Sequence, residues 1–141
     1  MYNANSITCL NKANAVHMNT SYWFSPVLRS YYNQYFIVQI CLSKPKYAHA
    51  DYNFQEVAPE WHTLNAFKTG QIDEGGYYAE YIQKLFTNKN TIAKKIVDIY
   101  HMAGSKKVVF CCWETPDKFC HRHIFAEFCN KKFNNLCICE L

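Results

Sequence analysis

The chain has 141 residues, enough for one domain with a core of its own and no need of disulfide or metal staples. Half of its residues are hydrophobic and 18% are charged, which excludes a disordered chain, while a formal net charge of +4 is only a mild lean toward anionic partners. Aromatic residues reach 17%, with 11 Tyr and 10 Phe, which suits interfaces and flat ligands such as bases and also follows from an AT-rich genome.

The opening stretch MYNANSITCLNKANAV has neither a basic nor an apolar leader segment, and no apolar run is long enough to span a membrane. The expectation is a cytoplasmic protein with no membrane partner, its eight cysteines mostly reduced and serving as small buried hydrophobes. Residues 1–17 are polar and Asn-rich and read as an N-terminal extension, either an edge strand or a loosely attached segment; residues 18–141 read as a single α/β domain.

VHMNTSYWF, from Val16 to Phe24, predicts a first strand that runs into a loop at Thr20, Ser21 and Tyr22, with Pro26 restricting the backbone beyond it. Tyr35 to Leu42, YFIVQICL, is a nearly continuous apolar run of the kind covered on both faces in a parallel sheet. Lys46 to Pro59 has no clean period and predicts a long loop. Pro59 then opens a helix that carries Trp61, Leu64, Asn65 and Lys68 and stops at Thr69-Gly70. Asp73 caps a second helix with Tyr77, Tyr81 and Leu85 on one face, and Asn90 caps a third with Ile92, Ile96, Ile99 and Ala103 in line before Gly104. A strand from Val108, a helix over Cys120 to Asn130 and a last strand over Leu136 to Leu141 complete the chain. Strands alternating with helices at this spacing predict βαβ units and a mainly parallel sheet.

Val108 to Asn130 carries the chemistry, because in open α/β sheets ligands bind where the carboxyl end of a strand meets the N-terminus of the next helix. Cys120, in the first helical turn, is either a nucleophile whose thiol is acidified by the helix end and Arg122, or a packed apolar residue. His121 is either a general base or an orienting histidine that donates to a backbone carbonyl. Arginine at a helix N-terminus opposes the macrodipole, so Arg122 requires an anion: Glu114 across the turn, or the phosphate or carboxylate of a ligand. Glu114 itself suits a general acid or base, or a partner for a ribose hydroxyl. His123, Glu127 and Asn130 read as a solvated stripe. Zinc remains an option for the Cys and His residues, weakened by the absence of a C-x-x-C pair and by the adjacency of Cys120 and His121, so no metal and no other cofactor is assigned. The chain has no Gly-rich phosphate loop, G-x-S-x-G elbow or C-x5-R spacing, which argues against P-loop, dinucleotide, serine-hydrolase and phosphatase chemistry.

The run CCWETPDKFCHRHIFAEF resembles the C-terminal signature of the bacterial and phage proteins grouped as domain of unknown function 488, in which a strand ends in Cys-x-Glu and a Cys-His-Arg triplet opens the next helix. The upstream run FQEVAPEWHTLNAFKTGQIDEGGYYAEY is similar to the compact phage-type branch of that family, and Thr20, Ser21, Tyr22 and Trp23 match its Thr-Ser-Tyr-aromatic element. Departures are Val57 in place of Leu, and Gly75-Gly76 in a stretch that is acidic in the branch. The resemblance implies a small Rossmann-like three-layer α/β domain with a mainly parallel sheet. It also implies one site made of Cys112, Glu114, Cys120, His121 and Arg122, faced by Thr20, Ser21 and Tyr22.

The expected function is binding of a nucleotide or nucleic-acid-derived phosphorylated ligand at the junction of strand 108–113 and helix 120–130. Arg122, Thr20, Ser21, Tyr22 and Cys112 would bind it, and Glu114, His121 and Cys120 would carry N-glycosidic or hydrolytic chemistry. One alternative is a non-catalytic anti-defence or host-takeover protein that sequesters a nucleotide signal or blocks a host protein in the host cytoplasm. The other is a structural zinc-binding domain.

Overall fold

Apolar runs that alternate with amphipathic stretches build one sheet with helices outside it, and the computed structural model, which describes residues 14–141, has that form. In chain order the elements are β1 (Val16–Tyr22), α1 (Pro26–Ser30), β2 (Tyr35–Gln39), β3 (Tyr52–Asn53), α2 (Trp61–Lys68), α3 (Glu74–Thr87), α4 (Lys89–Ala103), β4 (Lys107–Cys112), α5 (His121–Lys132) and β5 (Leu136–Glu140). All five strands are parallel, in the order β3-β2-β4-β1-β5. After β2 the chain moves outward to β3, whereas after β4 it moves the other way, across β1 to β5. The carboxyl ends of β2 and β4 therefore part to leave a crevice at the topological switch point.

Residues in register point to the same side of a parallel sheet, so Thr20, Val38 and Phe110 share one face and Asn19, Ile37 and Val109 the other. On the first face Phe110 meets Phe125 of α5 with ring centroids 5.1 Å apart. On the second, Ile37 and Leu28 of α1 line the same cavity. Three layers result, with the adjacent interior strands β2 and β4 buried along nearly their whole length. That double coverage is why both read as continuous apolar runs rather than alternating ones.

The helices follow their periodicity closely. α2 ends in a Schellman motif: Gly70, at φ +79°, donates to Phe67 O and Gln71 N donates to Ala66 O. α3 buries Tyr77, Tyr81 and Leu85, and α4 buries Ile92, Ile96, Ile99 and Ala103, as their spacing predicts. Asp73 caps α3, its Oδ1 accepting from Gly76 N at 2.8 Å. Asp73→Ala is expected to cost about 1 kcal/mol, read as a lower urea midpoint with unchanged slope; an unchanged midpoint would mean that the first turn is held by packing instead.

Several expectations change. β1 continues through Thr20, Ser21 and Tyr22, which are strand residues paired with Phe110, Cys111 and Cys112 and not a loop. β1 also starts at Val16 and lies between β4 and β5, so Val16 and His17 belong to the sheet; of the rest of the N-terminal extension, residues 1–13 lie outside the described residues. Pro26 opens the short helix α1, with Ser25 Oγ accepting from Leu28 N. The long loop contains β3, fixed to β2 by Asp51, whose Oδ2 accepts from Ile37 N at 2.8 Å. A two-residue strand is too short to leave a period in the sequence. α4 starts at Lys89 rather than after Asn90, because Asn88 serves both as the end of α3 and the start of α4.

α5 differs most from expectation. Every residue from His121 to Asn130 except Glu127 is buried, including His123 and Asn130. Asn130 is no part of a solvated stripe: its Nδ2 donates to Ile138 O and its Oδ1 accepts from Ile138 N, as a strand partner would. Cys41, Cys111, Cys112 and Cys120 are free, buried thiols, as expected of most of the cysteines, while Cys137 is disulfide-bonded. No helix among the described residues is long and apolar enough to cross a membrane.

Candidate functional site

β4 ends at Cys112, the chain turns through Glu114 and Pro116, and Cys120 then precedes α5 in an extended conformation (φ −151°, ψ 142°). That backbone lets the side chains of Cys120 and His121 converge, with Sγ and Nδ1 3.8 Å apart. One ligand-type atom from each of Cys112, Cys120 and His121 lies within 4.8 Å of the others. Adjacency of Cys120 and His121, which counted against a shared site in the sequence, is no obstacle in this geometry.

Arg122 is the electrostatic centre of the junction and is fully buried. Its guanidinium donates from Nε to Glu140 Oε1 at 3.1 Å and from Nη2 to Glu140 Oε2 at 2.8 Å, a bidentate pair. Nη1 donates to Cys112 Sγ at 3.2 Å and to Glu114 O at 2.6 Å. The anion it requires is thus Glu140, at the end of β5, and not the Glu114 carboxylate. Burial disfavours the charge, yet Glu140 keeps the guanidinium pKa above its ordinary value. Arg122 thereby ties β4, the loop after it and β5 to the first turn of α5.

The thiols respond to this cation. Burial opposes ionisation of Cys112, but the hydrogen bond from Cys120 and the positive charge of Arg122 outweigh it and hold its pKa below the ordinary thiol range. Burial and the neighbouring Cys112 push Cys120 well above that range. The more readily ionised thiol is therefore Cys112 and not Cys120, for which the sequence left a nucleophile and a packed apolar residue both open.

His121 Nε2 lies 2.5 Å from Ile40 O, and because a carbonyl can only accept, Nε2 carries the proton. Nδ1 is left as a bare lone pair directed at Cys120. Burial lowers the imidazole pKa to about 4, so the ring is neutral at ordinary pH. Of the two roles the sequence left open for His121, general base or orienting histidine, this contact is that of the second, with an acceptor nitrogen to spare.

A cleft of about 380 Å³ opens over the carboxyl ends of β2 and β4, at the switch point. His121 and Glu114 reach it from the junction, Lys68 and Leu64 from α2, and Cys41 and Trp113 from just past the strands. Trp113 is 41% exposed and its Nε1 donates to Ser43 O at 2.7 Å, joining the two loops that form the walls. Phe24 lies beside it, with ring centroids 6.3 Å apart, and Tyr47 continues the aromatic cluster. A second cavity, of about 450 Å³, lies under α1 on the other face of the sheet. It is larger, but the ionisable groups of the junction do not reach it.

Thr20, Ser21 and Tyr22 do not line the cleft. Thr20 Oγ1 donates to Glu140 Oε1 at 2.6 Å, Tyr22 places its ring 6.0 Å from the Arg122 guanidinium, and Ser21 Oγ is buried with no partner among the described residues. Two of the three thus support Arg122 from β1. Sequence reasoning missed Glu140, Lys68 and Trp113. Trp113 was findable as the first residue past a strand end; Glu140 lies 18 positions from Arg122, with no local signal to link them.

A family model described as the active DUF488-N3 subclade, DUF488-N3a, matches residues 40–133. The matched segment contains Cys112, Glu114, Cys120, His121 and Arg122 but neither Thr20 nor Glu140. No curated protein and no solved structure matches the chain.

Proposed function

The chain belongs to the family of domain of unknown function 488, and from that premise we propose that the crevice between β2 and β4 binds a nucleotide or nucleic-acid-derived phosphorylated ligand and cleaves it by N-glycosidic or hydrolytic chemistry. One observation carries the reading: at the switch point of a parallel sheet, a half-exposed indole, a lysine and a carboxylate border one cleft. Trp113 offers a stacking face for a base, Lys68 a charge for phosphate, and Glu114 a general acid or base for the departing or attacking group. Arg122, whose donors are engaged by Glu140, Cys112 and Glu114, is a positioning residue in this reading, and Thr20 and Tyr22 act through it. The description of the matched subclade as active favours turnover.

The expected result is quenching of Trp113 fluorescence by nucleoside mono- or diphosphates, lost in Trp113→Phe. In Lys68→Ala binding weakens about tenfold, the worth of one charge-assisted contact. Glu114→Gln keeps binding while any release of free base or phosphate, followed by chromatography, stops. Absence of quenching at millimolar nucleotide would remove the ligand class.

A second reading is capture without turnover, by a phage-encoded anti-defence protein that sequesters a nucleotide signal or blocks a host protein. Its support is that His121, low in pKa and engaged at Nε2, is poorly suited to transfer protons, which leaves Glu114 as the one carboxylate at the cleft among the described residues. Recovery of unchanged nucleotide from the heated complex would favour capture; a converted product would exclude it.

A further inference from the structure

We propose that Cys112, Cys120 and His121 form a binding site for one thiophilic divalent metal ion, zinc above all, with its open coordination position facing a small cavity beside α2. Tetrahedral zinc with sulfur at about 2.3 Å and nitrogen at about 2.05 Å sets sulfurs about 3.8 Å apart and sulfur and nitrogen about 3.6 Å apart. The Cys120 Sγ to His121 Nδ1 distance is 3.8 Å and all three donor atoms fall within 4.8 Å of one another, so small side-chain rotations bring them to one centre. Two sulfurs and an imidazole are the donor set that selects zinc over harder ions.

The surroundings are those of a metal site. His121 Nε2 is held by Ile40 O, which fixes the tautomer with Nδ1 free to ligate, the usual outer support of a metal-bound histidine. Cys112 Sγ already accepts from Arg122 Nη1, as metal thiolates commonly accept from nearby N–H groups. Charge balances as well: two thiolates match a divalent ion, and Glu140 matches Arg122. Cys120 and His121 line a cavity of about 60 Å³ whose wall includes Glu114 and Lys68, enough for a water in the fourth position and a route of entry. Three protein ligands with one open position is the arrangement of catalytic rather than structural zinc. Glu114, which lines the same cavity, would be the carboxylate to exchange a proton with a water on the bound ion. The inference goes beyond the ligand reading above and needs no particular molecule in the cleft.

The test is a cobalt titration of the full chain, purified under reductant and stripped by a chelator. The expected result is a thiolate-to-cobalt charge-transfer band with tetrahedral visible bands, saturating at one equivalent and displaced by zinc, with zinc also raising the melting temperature. Cys120→Ser and His121→Gln are expected to lose the charge-transfer band or its saturation at one equivalent, while Cys139→Ser, at a cysteine outside the cluster, keeps both. Circular dichroism confirms that each variant is folded, since Cys112→Ser alters a buried strand and is unsuited to carry the test alone. A folded wild type with no such band, or a band unchanged in both Cys120→Ser and His121→Gln, would overturn the assignment. A metal site that fails here leaves nucleotide quenching of Trp113 untouched, so the two readings fail separately.

Discussion

Arg122→Met is expected to lose about 3–5 kcal/mol of stability, the cost of leaving a buried carboxylate without its counter-ion. The guanidinium is fully buried and Glu140 nearly so, with 12% of its side chain exposed. Without Arg122 the Glu140 carboxylate retains the hydroxyl of Thr20, and Glu114 O and Cys112 Sγ lose a shared donor. Arg122→Lys does not rescue it, because one ammonium cannot fork to Glu140 while bridging Cys112 and Glu114. Arg122→Met/Glu140→Leu is expected to be more stable than Arg122→Met alone, since removing both charges also removes the desolvation cost that the single variant exposes. Urea unfolding of the four proteins checks this. A loss below about 1 kcal/mol in Arg122→Met would show that the pair is marginal, in the range of exposed salt bridges.

Acid is expected to destabilise the metal-free protein by about 3 kcal/mol between pH 6.5 and pH 4, through His121 alone. Its folded pKa is lowered to about 4 by burial, so over this window the unfolded chain takes up a proton that the folded chain refuses. Stability is therefore full above the unfolded value and falls as pH drops toward the folded one. His123, whose pKa is also lowered, first by burial and then by Arg122, adds to the loss in the same direction. Asp51 is lowered too, its hydrogen bonds from Ile37 N and His49 outweighing burial, but its contribution is lost only below the ordinary carboxylate range. The windows separate the causes. Urea midpoints at pH 7.5 and 4.5 in chelator-treated protein measure the slope, and His121→Gln, which can still donate to Ile40 O, is expected to flatten most of it. An unchanged slope in that variant would place the titrating group elsewhere.

Periodicity was sufficient for most of the fold. Ile92, Ile96, Ile99 and Ala103 recur on one face because a helix against a sheet buries one stripe, and YFIVQICL is apolar throughout because its strand is covered twice. Asp73 and Gly70 marked helix ends for reasons contained in their own side chains. Local chemistry also pointed to the junction at Val108 to Asn130, and the need of Arg122 for an anion could be argued from the helix dipole alone.

What that anion is depended on β5 lying next but one to β4, a long-range arrangement that no spacing in the chain encodes. The same arrangement turned His123 and Asn130 inward, since α5 is covered on nearly all sides and a one-face pattern does not apply to it. Convergence of Cys112 with Cys120 and His121 joined residues whose separation gives no familiar ligand motif, because the chain between them closes a loop rather than a turn of helix. Composition and local periodicity act over a few residues and thus specify elements and their buried faces. Partners across the sheet arise from strand order, and strand order is settled by how the whole chain closes around its core.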